Sequence, residues 1–253
     1  MPDNPGFWRE VQERVIGEEI PEAWRFDALI VDEGQDFAPE WYDILRLFLS
    51  GESDVLWLED EEQNLYGQPP VALEGFVGYR SQVNYRSPEG ICRFIKKTLP
   101  FEFEGGNDLP GLGVDVHGYD DPADQPTLAA RVVKGLLGRG FGYDDIVILT
   151  CRGVGSSVFS ARKKVGNVPL RRFTGEYDHF GNQVLTEGRL TFDSIYRFKG
   201  QEAPAVVLVD VAPDRDKLDR AWRLLYCGMT RATVRLEMLV NAGNPACVRF
   251  LDG

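Results

Sequence analysis

Short apolar runs separated by helix-length, more polar stretches recur along the chain: Ala28–Val31, Val55–Leu58, Ile146–Leu149, Ala205–Val209 and Leu236–Val240. Runs this brief, with little internal alternation, suit strands covered on both faces, as strands of a parallel sheet are. The pattern therefore predicts an α/β fold built on parallel strands with flanking helices. After Pro39, the residues Trp41, Ile44, Leu45, Phe48 and Leu49 fall at helical spacing, which predicts a helix with one apolar stripe. A second helix is predicted to open with Ser87 as its N-cap and Pro88 in its first turn, burying Ile91, Phe94, Ile95 and Leu99. A third, holding Leu218, Ala221, Trp222 and Leu225, precedes the last apolar run. Turn-forming residues concentrate at Gly67-Gln68-Pro69-Pro70 and between Gly105 and Gly111, and the first cluster marks a candidate domain boundary.

Composition narrows the picture. With 253 residues, 43% of them hydrophobic, the chain can bury the core of one large domain or two modest ones. Cys92, Cys151, Cys227 and Cys247 lie far apart without a CxxC pair, and His117 and His179 stand alone, so neither structural zinc nor a disulfide framework is expected. No apolar run approaches the roughly 20 residues of a membrane span. The start MPDNPGFWRE lacks the basic flank and apolar stretch of a leader, which predicts a cytoplasmic protein. A net charge of -12 repels nucleic acid at long range, so any such binding must use a local basic patch.

The sharpest chemical signal is Leu29-Ile30-Val31-Asp32-Glu33-Gly34-Gln35-Asp36, an apolar strand that ends abruptly in paired carboxylates. Ligands of open α/β sheets sit at the carboxyl ends of strands. One carboxylate there can hold a magnesium ion, directly or through water, while its neighbour orients or deprotonates an attacking water. The string Asp-Glu-x-Gln-Asp after such a strand resembles motif II of superfamily one helicases of the UvrD/Rep type. Further strings follow in that family's order. Val55–Leu58 leads into Glu59-Asp60-Glu61-Glu62-Gln63-Asn64-Leu65-Tyr66, which resembles motif III, and Asn84-Tyr85-Arg86-Ser87 resembles motif IV. The stretch from Ser194 to Glu202 is similar to motif V, and Leu225 to Ala232 to motif VI. The resemblance runs from about Phe26 to Val240, with only the strand and helix pattern matching between motifs IV and V.

The resemblance implies roles residue by residue, each sensible for phosphoryl transfer, where positioning and charge stabilisation dominate. Asp32 would hold Mg2+, with Glu33 beside it as the base for the attacking water and a second candidate metal contact. Gln63 would sense the γ-phosphate of ATP and report its loss through Tyr66 toward the nucleic acid. Arg231 is the arginine-finger candidate and Arg86 its partner, because a fixed forked cation suits the charge that develops on the γ-phosphate. Glu202 would accept a hydrogen bond from the ribose. Tyr66, Ser194 and Tyr196 are candidates for contact with DNA, although Tyr196 stands where the family has histidine. Gly67-Gln68 likewise occupies the place of a usual aromatic residue. A salt bridge from Arg86 to Glu89 and a solvated Glu202 are the plainer alternatives.

A phosphate-binding loop needs a glycine-rich turn followed by Lys and Ser or Thr, and this sequence contains no Gly-Lys dipeptide. Only 31 residues precede Asp32. The resemblance thus implies two RecA-like domains, residues 1–79 an incomplete first one with motifs II and III, and residues 80–253 the second with motifs IV, V and VI. ATP would bind in the cleft between them. The expected function is part of an ATP-dependent DNA helicase or translocase motor acting on single-stranded or partly duplex DNA, and no membrane. Its missing N-terminal half would be supplied in cis or in trans, and the chain alone is expected to be inactive. The interval from Arg86 to Ser194 leaves little room for the large inserted subdomain of many relatives. The alternative is a catalytically dead helicase-like module that binds DNA or a protein.

Overall fold

The computed structural model describes residues 5–252; the stretch read for a leader lies partly outside them. Chain packing divides the protein into two compact units, one ending at Tyr79 and the other beginning at Arg80.

In the first unit, helix α1 (Pro5–Gly17) precedes strand β1 (Phe26–Val31), helix α2 (Pro39–Leu47) and strand β2 (Leu49–Trp57). The strands pair in parallel, with Ile30 opposite Leu56 and Val31 opposite Trp57. The predicted apolar stripe of α2 is shorter than expected. The helix ends at Leu47, Phe48 alone makes the turn, and Leu49 already belongs to β2. Tyr42 is the helix residue that becomes fully buried, its ring 5.1 Å from that of Trp57 and nearly edge-on. Phe37 completes this aromatic cluster, 5.7 Å from Trp57 and 5.9 Å from Trp41. The opposite face of the two-stranded sheet carries Ile30 and Leu56 at 70% and 50% exposure.

The second unit contains β3 (Val83–Asn84), α3 (Glu89–Thr98), β4 (Glu104–Gly105), β5 (Val114–Tyr119), α4 (Gln125–Gly138) and β6 (Ile146–Thr150). It continues with β7 (Lys164–Val165), β8 (Val168–Arg171), β9 (Phe173–Tyr177), β10 (Gln183–Leu185), β11 (Leu190–Ser194) and β12 (Ala203–Val211). Helix α5 (Leu218–Met229), strand β13 (Ala232–Asn241) and helix α6 (Val248–Leu251) complete it. Seven strands form one sheet in the order β5-β13-β12-β6-β11-β8-β7. Neighbours are parallel throughout except for the short edge strand β7. The expected α/β class is therefore borne out as a mostly parallel, helix-flanked sheet of the RecA-like kind.

The centre of this sheet explains the apolar runs of the sequence. Every residue of β6 is buried, as is nearly all of β12, because helices cover both faces. On one face Ala129, Val132, Val133 and Leu136 of α4 meet Ile146, Ile148, Ala205 and Val207. Helices α3 and α5 pack on each other and on the sheet, contributing the buried Ile91, Ile95, Leu225 and Cys227. Fully burying such a side chain contributes about 1.5–3 kcal/mol. The start of α3 differs from expectation in that Pro88 occupies the cap position and no side chain caps it. Ser87 is instead drawn into the preceding turn, where Asn84 Nδ2 donates to its hydroxyl at 3.3 Å. None of the four cysteines forms a disulfide. Among the described residues no helix is long and apolar enough to cross a membrane.

Candidate functional site

The candidate residues fall into two clusters, one in each unit. In the first unit, β1 delivers Asp32 and Glu33 at its carboxyl end. The backbone there is held by Leu58 N–H donating to Val31 O at 2.9 Å and Gly34 N–H to Leu58 O at 2.8 Å. Glu33 takes a left-handed conformation (φ 55°), uncommon outside glycine and often seen where a turn positions a functional group. Its amide donates to Asp32 Oδ1 at 2.9 Å. Gly34 is required by close approach, since a Cβ at that position would lie 2.3 Å from Trp57 Nε1.

A chain of hydrogen bonds then connects the second and third motif strings. Gln35, only 6% exposed, donates from Nε2 to Glu33 Oε2 at 2.6 Å and accepts at Oε1 from Asp60 N–H at 2.9 Å. Asp60 in turn accepts at Oδ2 from Gln63 Nε2 at 2.7 Å and at Oδ1 from Glu62 N–H at 3.0 Å. Glu33 and Gln63 are thereby joined through Gln35 and Asp60. Tyr66 projects from the next turn at 56% exposure, following the buried Leu65. Asn64 shapes that turn by accepting from Gly67 N–H and Gln68 N–H and donating to Gln68 O.

In the second unit three motif strings converge on Gln201 and Glu202. Arg86 Nε lies 3.2 Å from Glu202 Oε2, both side chains being substantially exposed. Glu89, the plainer partner for Arg86, pairs with Arg93 instead. Arg231 is buried, and its guanidinium donates to Cys227 O at 3.0 Å, Gln201 O at 3.3 Å and Thr230 Oγ1 at 3.4 Å. The arginine thus ties the end of α5 to the loop after β11. Gly228 lets α5 approach that loop closely, because a Cβ there would lie 2.8 Å from Ile195 Cδ1.

Ser194 and Tyr196 lie at the carboxyl end of β11. Ser194 is buried, and its hydroxyl accepts from Arg197 N–H at 3.3 Å, a turn-capping role. Tyr196 accepts at its hydroxyl from Arg220 at 3.0 Å and lines a cavity of about 530 Å3 at the carboxyl ends of β6 and β12. Arg152, Lys217 and Arg220 give the cavity wall three cations, set against Asp210 and Asp214. At its base Asp210 is 2% exposed and left-handed (φ 59°). It accepts from Thr150 Oγ1 at 2.7 Å, Ser157 Oγ at 2.5 Å and Gln125 Nε2 at 3.2 Å. Burial, and after it the charge of Asp210, pushes the Cys151 thiol and the Tyr119 phenol well above their ordinary ranges. The thiol in the cavity wall is therefore neutral and a poor nucleophile.

Sequence reasoning named Asp32, Glu33, Gln63, Tyr66, Arg86, Ser194, Tyr196, Glu202 and Arg231, and missed Gln35, Asp60, Arg152, Asp210 and Arg220. Only Gln35 and Asp60 carried a signal, as letters of motif strings that already surrounded named residues. Asp32 is exposed at the strand end, suited to hold a hydrated divalent cation through water. Among the described residues no group of three or more His, Cys, Asp or Glu could enclose a metal. The carboxylate pair fits magnesium, which keeps several waters and phosphate oxygens in its shell.

Residues 190–238, which hold strand β11, the loop with the cavity-lining Tyr196, strand β12, helix α5 and most of β13, match the model of the UvrD-like helicase C-terminal domain. The chain is also 21% identical over 180 residues to YjcD of Bacillus subtilis (strain 168), a protein provisionally named an ATP-dependent DNA helicase. That similarity covers 64% of this chain and 24% of the relative, so the chain spans about a quarter of the protein it matches. The stretch carrying the fifth and sixth motif strings is thus similar to a UvrD-like helicase C-terminal domain, and the chain resembles part of a DNA helicase.

Proposed function

We propose that this chain is a portion of an ATP-driven motor that moves along single-stranded DNA and opens duplex, with the 253 residues alone hydrolysing little or no ATP. The observation that carries the reading is the continuous hydrogen-bonded path from Glu33 through Gln35 and Asp60 to Gln63. In this reading the path couples Glu33, which activates water, with Gln63, which senses the γ-phosphate. A purely structural acidic turn has no need of it.

In this reading Asp32 positions a magnesium ion through water, and bound Mg2+ would neutralise charge on the β- and γ-phosphate oxygens. Glu33, fixed by its turn and by Gln35, accepts the proton of the attacking water. Arg86 leaves Glu202 to reach phosphate, which frees Glu202 for a ribose hydroxyl. The exchange is inexpensive, because an exposed ion pair contributes at most about 1 kcal/mol. Arg231, buried against Cys227 O and Gln201 O, has to leave those carbonyls to supply the second cation, and Tyr66 with the cations around Tyr196 engages the nucleic acid.

Support for a further polypeptide that completes the first unit comes from burial. Parallel sheets are covered on both faces, yet Phe26, Ile30 and Leu56 on one face of the β1–β2 pair are 60%, 70% and 50% exposed. A covering layer that also brings a Gly-Lys-Ser/Thr loop would supply the phosphate cradle. The test is to measure binding of single-stranded DNA and ATP turnover by the purified chain. The expectation is salt-sensitive DNA binding without appreciable hydrolysis. Robust DNA-stimulated turnover abolished by Glu33→Gln would overturn the inactivity of the isolated chain, and absence of DNA binding at low salt would overturn the motor reading.

A further inference from the structure

Thr150 ends strand β6, Asp210 lies one residue before the end of β12, and Gln125 opens helix α4. The three meet at the base of the cavity that Tyr196 and Arg152 line. The pairing of β12 with β13 shifts register between Leu208 and Val211, and Asp210 takes its left-handed φ of 59° within that shift. A buried residue held in a sparsely populated conformation is kept there by its surroundings. Gln125 grips it twice, accepting at Oε1 from Asp210 N–H at 2.7 Å and donating from Nε2 to Asp210 Oδ1 at 3.2 Å. The other carboxylate oxygen, Oδ2, accepts from both Thr150 Oγ1 and Ser157 Oγ.

Those two bonds set the polarity of a longer chain. A carboxylate only accepts, and a hydroxyl has one proton to give. With their protons committed to Asp210, Thr150 and Ser157 turn lone pairs elsewhere, and backbone amides meet both. Arg152 N–H donates to Thr150 Oγ1 at 3.1 Å, and Phe159 N–H donates to Ser157 Oγ at 3.1 Å. Residues 151–158 thus form a loop whose two ends hang from one carboxylate oxygen, with Phe159 fully buried at one end and Arg152 exposed at the other. Gly153, at a φ of 78°, turns the chain directly after Arg152. The Arg152 side chain makes no hydrogen bond or ion pair with any described residue. Its charge is open to an anion in the cavity, whereas Arg197 and Arg235 are matched by Asp193 and Glu237. Apolar groups of the same shape would hold the core about as well, because exchanging both partners of a buried hydrogen bond is nearly neutral. What the carboxylate adds is direction.

We propose that Asp210 is a positioning residue which, through the Thr150 hydroxyl, fixes the Arg152 backbone and so holds the Arg152 guanidinium where it meets a phosphate of a single strand in the cavity. This rests on the reading of that cavity as engaging nucleic acid. Arg152 touches the phosphate, and Asp210 and Thr150 act only through it.

The test titrates the purified chain with a single strand of thymidines at stepped salt concentrations, by fluorescence anisotropy, and measures the unfolding midpoint of each variant alongside. Each phosphate neutralised on a single strand contributes about 0.7 to the slope of log affinity against log salt. Arg152→Ala and Thr150→Val are each expected to make that slope shallower by about this amount. The double variant should go no further, because the two residues act on one contact. Thr150→Ser keeps the hydroxyl and should keep the wild-type slope. Asp210→Ala should follow Thr150→Val where it remains folded, and Thr150→Val decides where it does not. A Thr150→Val protein with a lowered unfolding midpoint and the wild-type slope overturns the proposal, since a merely structural network changes stability alone. An additive double variant, a Thr150→Ser protein that loses slope, or an Arg152→Ala protein that keeps it does the same while leaving DNA binding intact. Failure of the wild-type chain to bind the strand at low salt overturns both this proposal and the reading of the cavity beneath it.

Discussion

Replacing Asp210 by alanine removes the acceptor from three buried donors, Thr150 Oγ1 at 2.7 Å, Ser157 Oγ at 2.5 Å and Gln125 Nε2 at 3.2 Å. Hydrogen bonds to a carboxylate contribute about 1.5–3 kcal/mol each. The three losses do not add, because residues of one network share the response to its removal. Leaving buried neutral donors without their acceptor costs about 1–3 kcal/mol each, so about 3–5 kcal/mol is expected for the three together. Alanine must also hold the left-handed backbone that aspartate tolerates better, which adds roughly 1 kcal/mol. The expected loss for Asp210→Ala is therefore about 4–6 kcal/mol, against a typical domain stability of about 5–15 kcal/mol. Asp210→Asn keeps one acceptor and tolerates the same backbone, so about 1–2 kcal/mol is expected. Asp210→Gly loses every acceptor and relieves the backbone, placing it between asparagine and alanine. The order of stability is wild type, Asn, Gly, Ala. Native-state hydrogen exchange of the β6 and β12 amides reads it, since those strands lie in the second unit. An alanine variant within about 1 kcal/mol of wild type, or a glycine variant less stable than alanine, refutes the reasoning.

Two further outcomes follow from groups away from the site. Burial raises the Glu237 carboxyl, but hydrogen bonds from His117 and Arg235 and the charge of Arg235 outweigh it and hold it below its ordinary value. A carboxylate depressed on folding stabilises above its unfolded pKa and loses that contribution as pH falls through the folded value. Glu237→Gln should therefore flatten the acid limb of the stability curve below about pH 4.5, measured by urea unfolding at stepped pH; an unchanged limb counts against it. Burial also pushes the thiols of Cys92 and Cys151 up, and that of Cys247 to about 11. Iodoacetamide at about pH 8 should modify these three slowly in the native protein and rapidly in urea. Equal rates in a peptide-resolved mass measurement would contradict the burial argument.

The parts of the fold legible in the sequence are those where one physical demand dominates. Ile146–Leu149, Ala205–Val209 and Leu236–Val240 read as strands because helices cover them on both sides, leaving no place for polar residues. Strand β5, Val-Asp-Val-His-Gly-Tyr, was illegible because Asp115 and His117 point into an ion cluster with Arg235 and Glu237. Both partners lie more than a hundred residues away along the chain. Asp210 was hidden for a related reason. At the end of an apolar run it looks like an exit to solvent, and only the approach of Thr150, Ser157 and Gln125 turns it into a buried acceptor. Within the candidate site, Asp32 and Glu33 announced themselves as carboxylates ending a strand. Gln35 did not, because its function lies in a bond to Asp60, 25 residues further on.

Strand β1 and its neighbour expose a different kind of legibility, in which the sequence describes an environment that this chain does not provide. Ile30 and Leu56 sit opposite each other on one face, at 70% and 50% exposure, while Val31 and Trp57 pack against the helix side. The apolar run read as covered on both faces is covered on one. If another polypeptide supplies the second layer, Ile30→Thr with Leu56→Thr should be almost silent in the chain alone. Threonine keeps the strand preference, and exposed substitutions change stability by about 0.5 kcal/mol or less. Against a polypeptide that completes the domain, each lost side chain forfeits about 1.5–3 kcal/mol of burial, so affinity should fall by about a hundredfold or more. Equilibrium unfolding of the chain alone and its titration with a candidate completing segment separate the two effects. A double variant that is destabilised by more than about 2 kcal/mol on its own would show that the face is already covered within these 253 residues, and the argument for a second layer would end there.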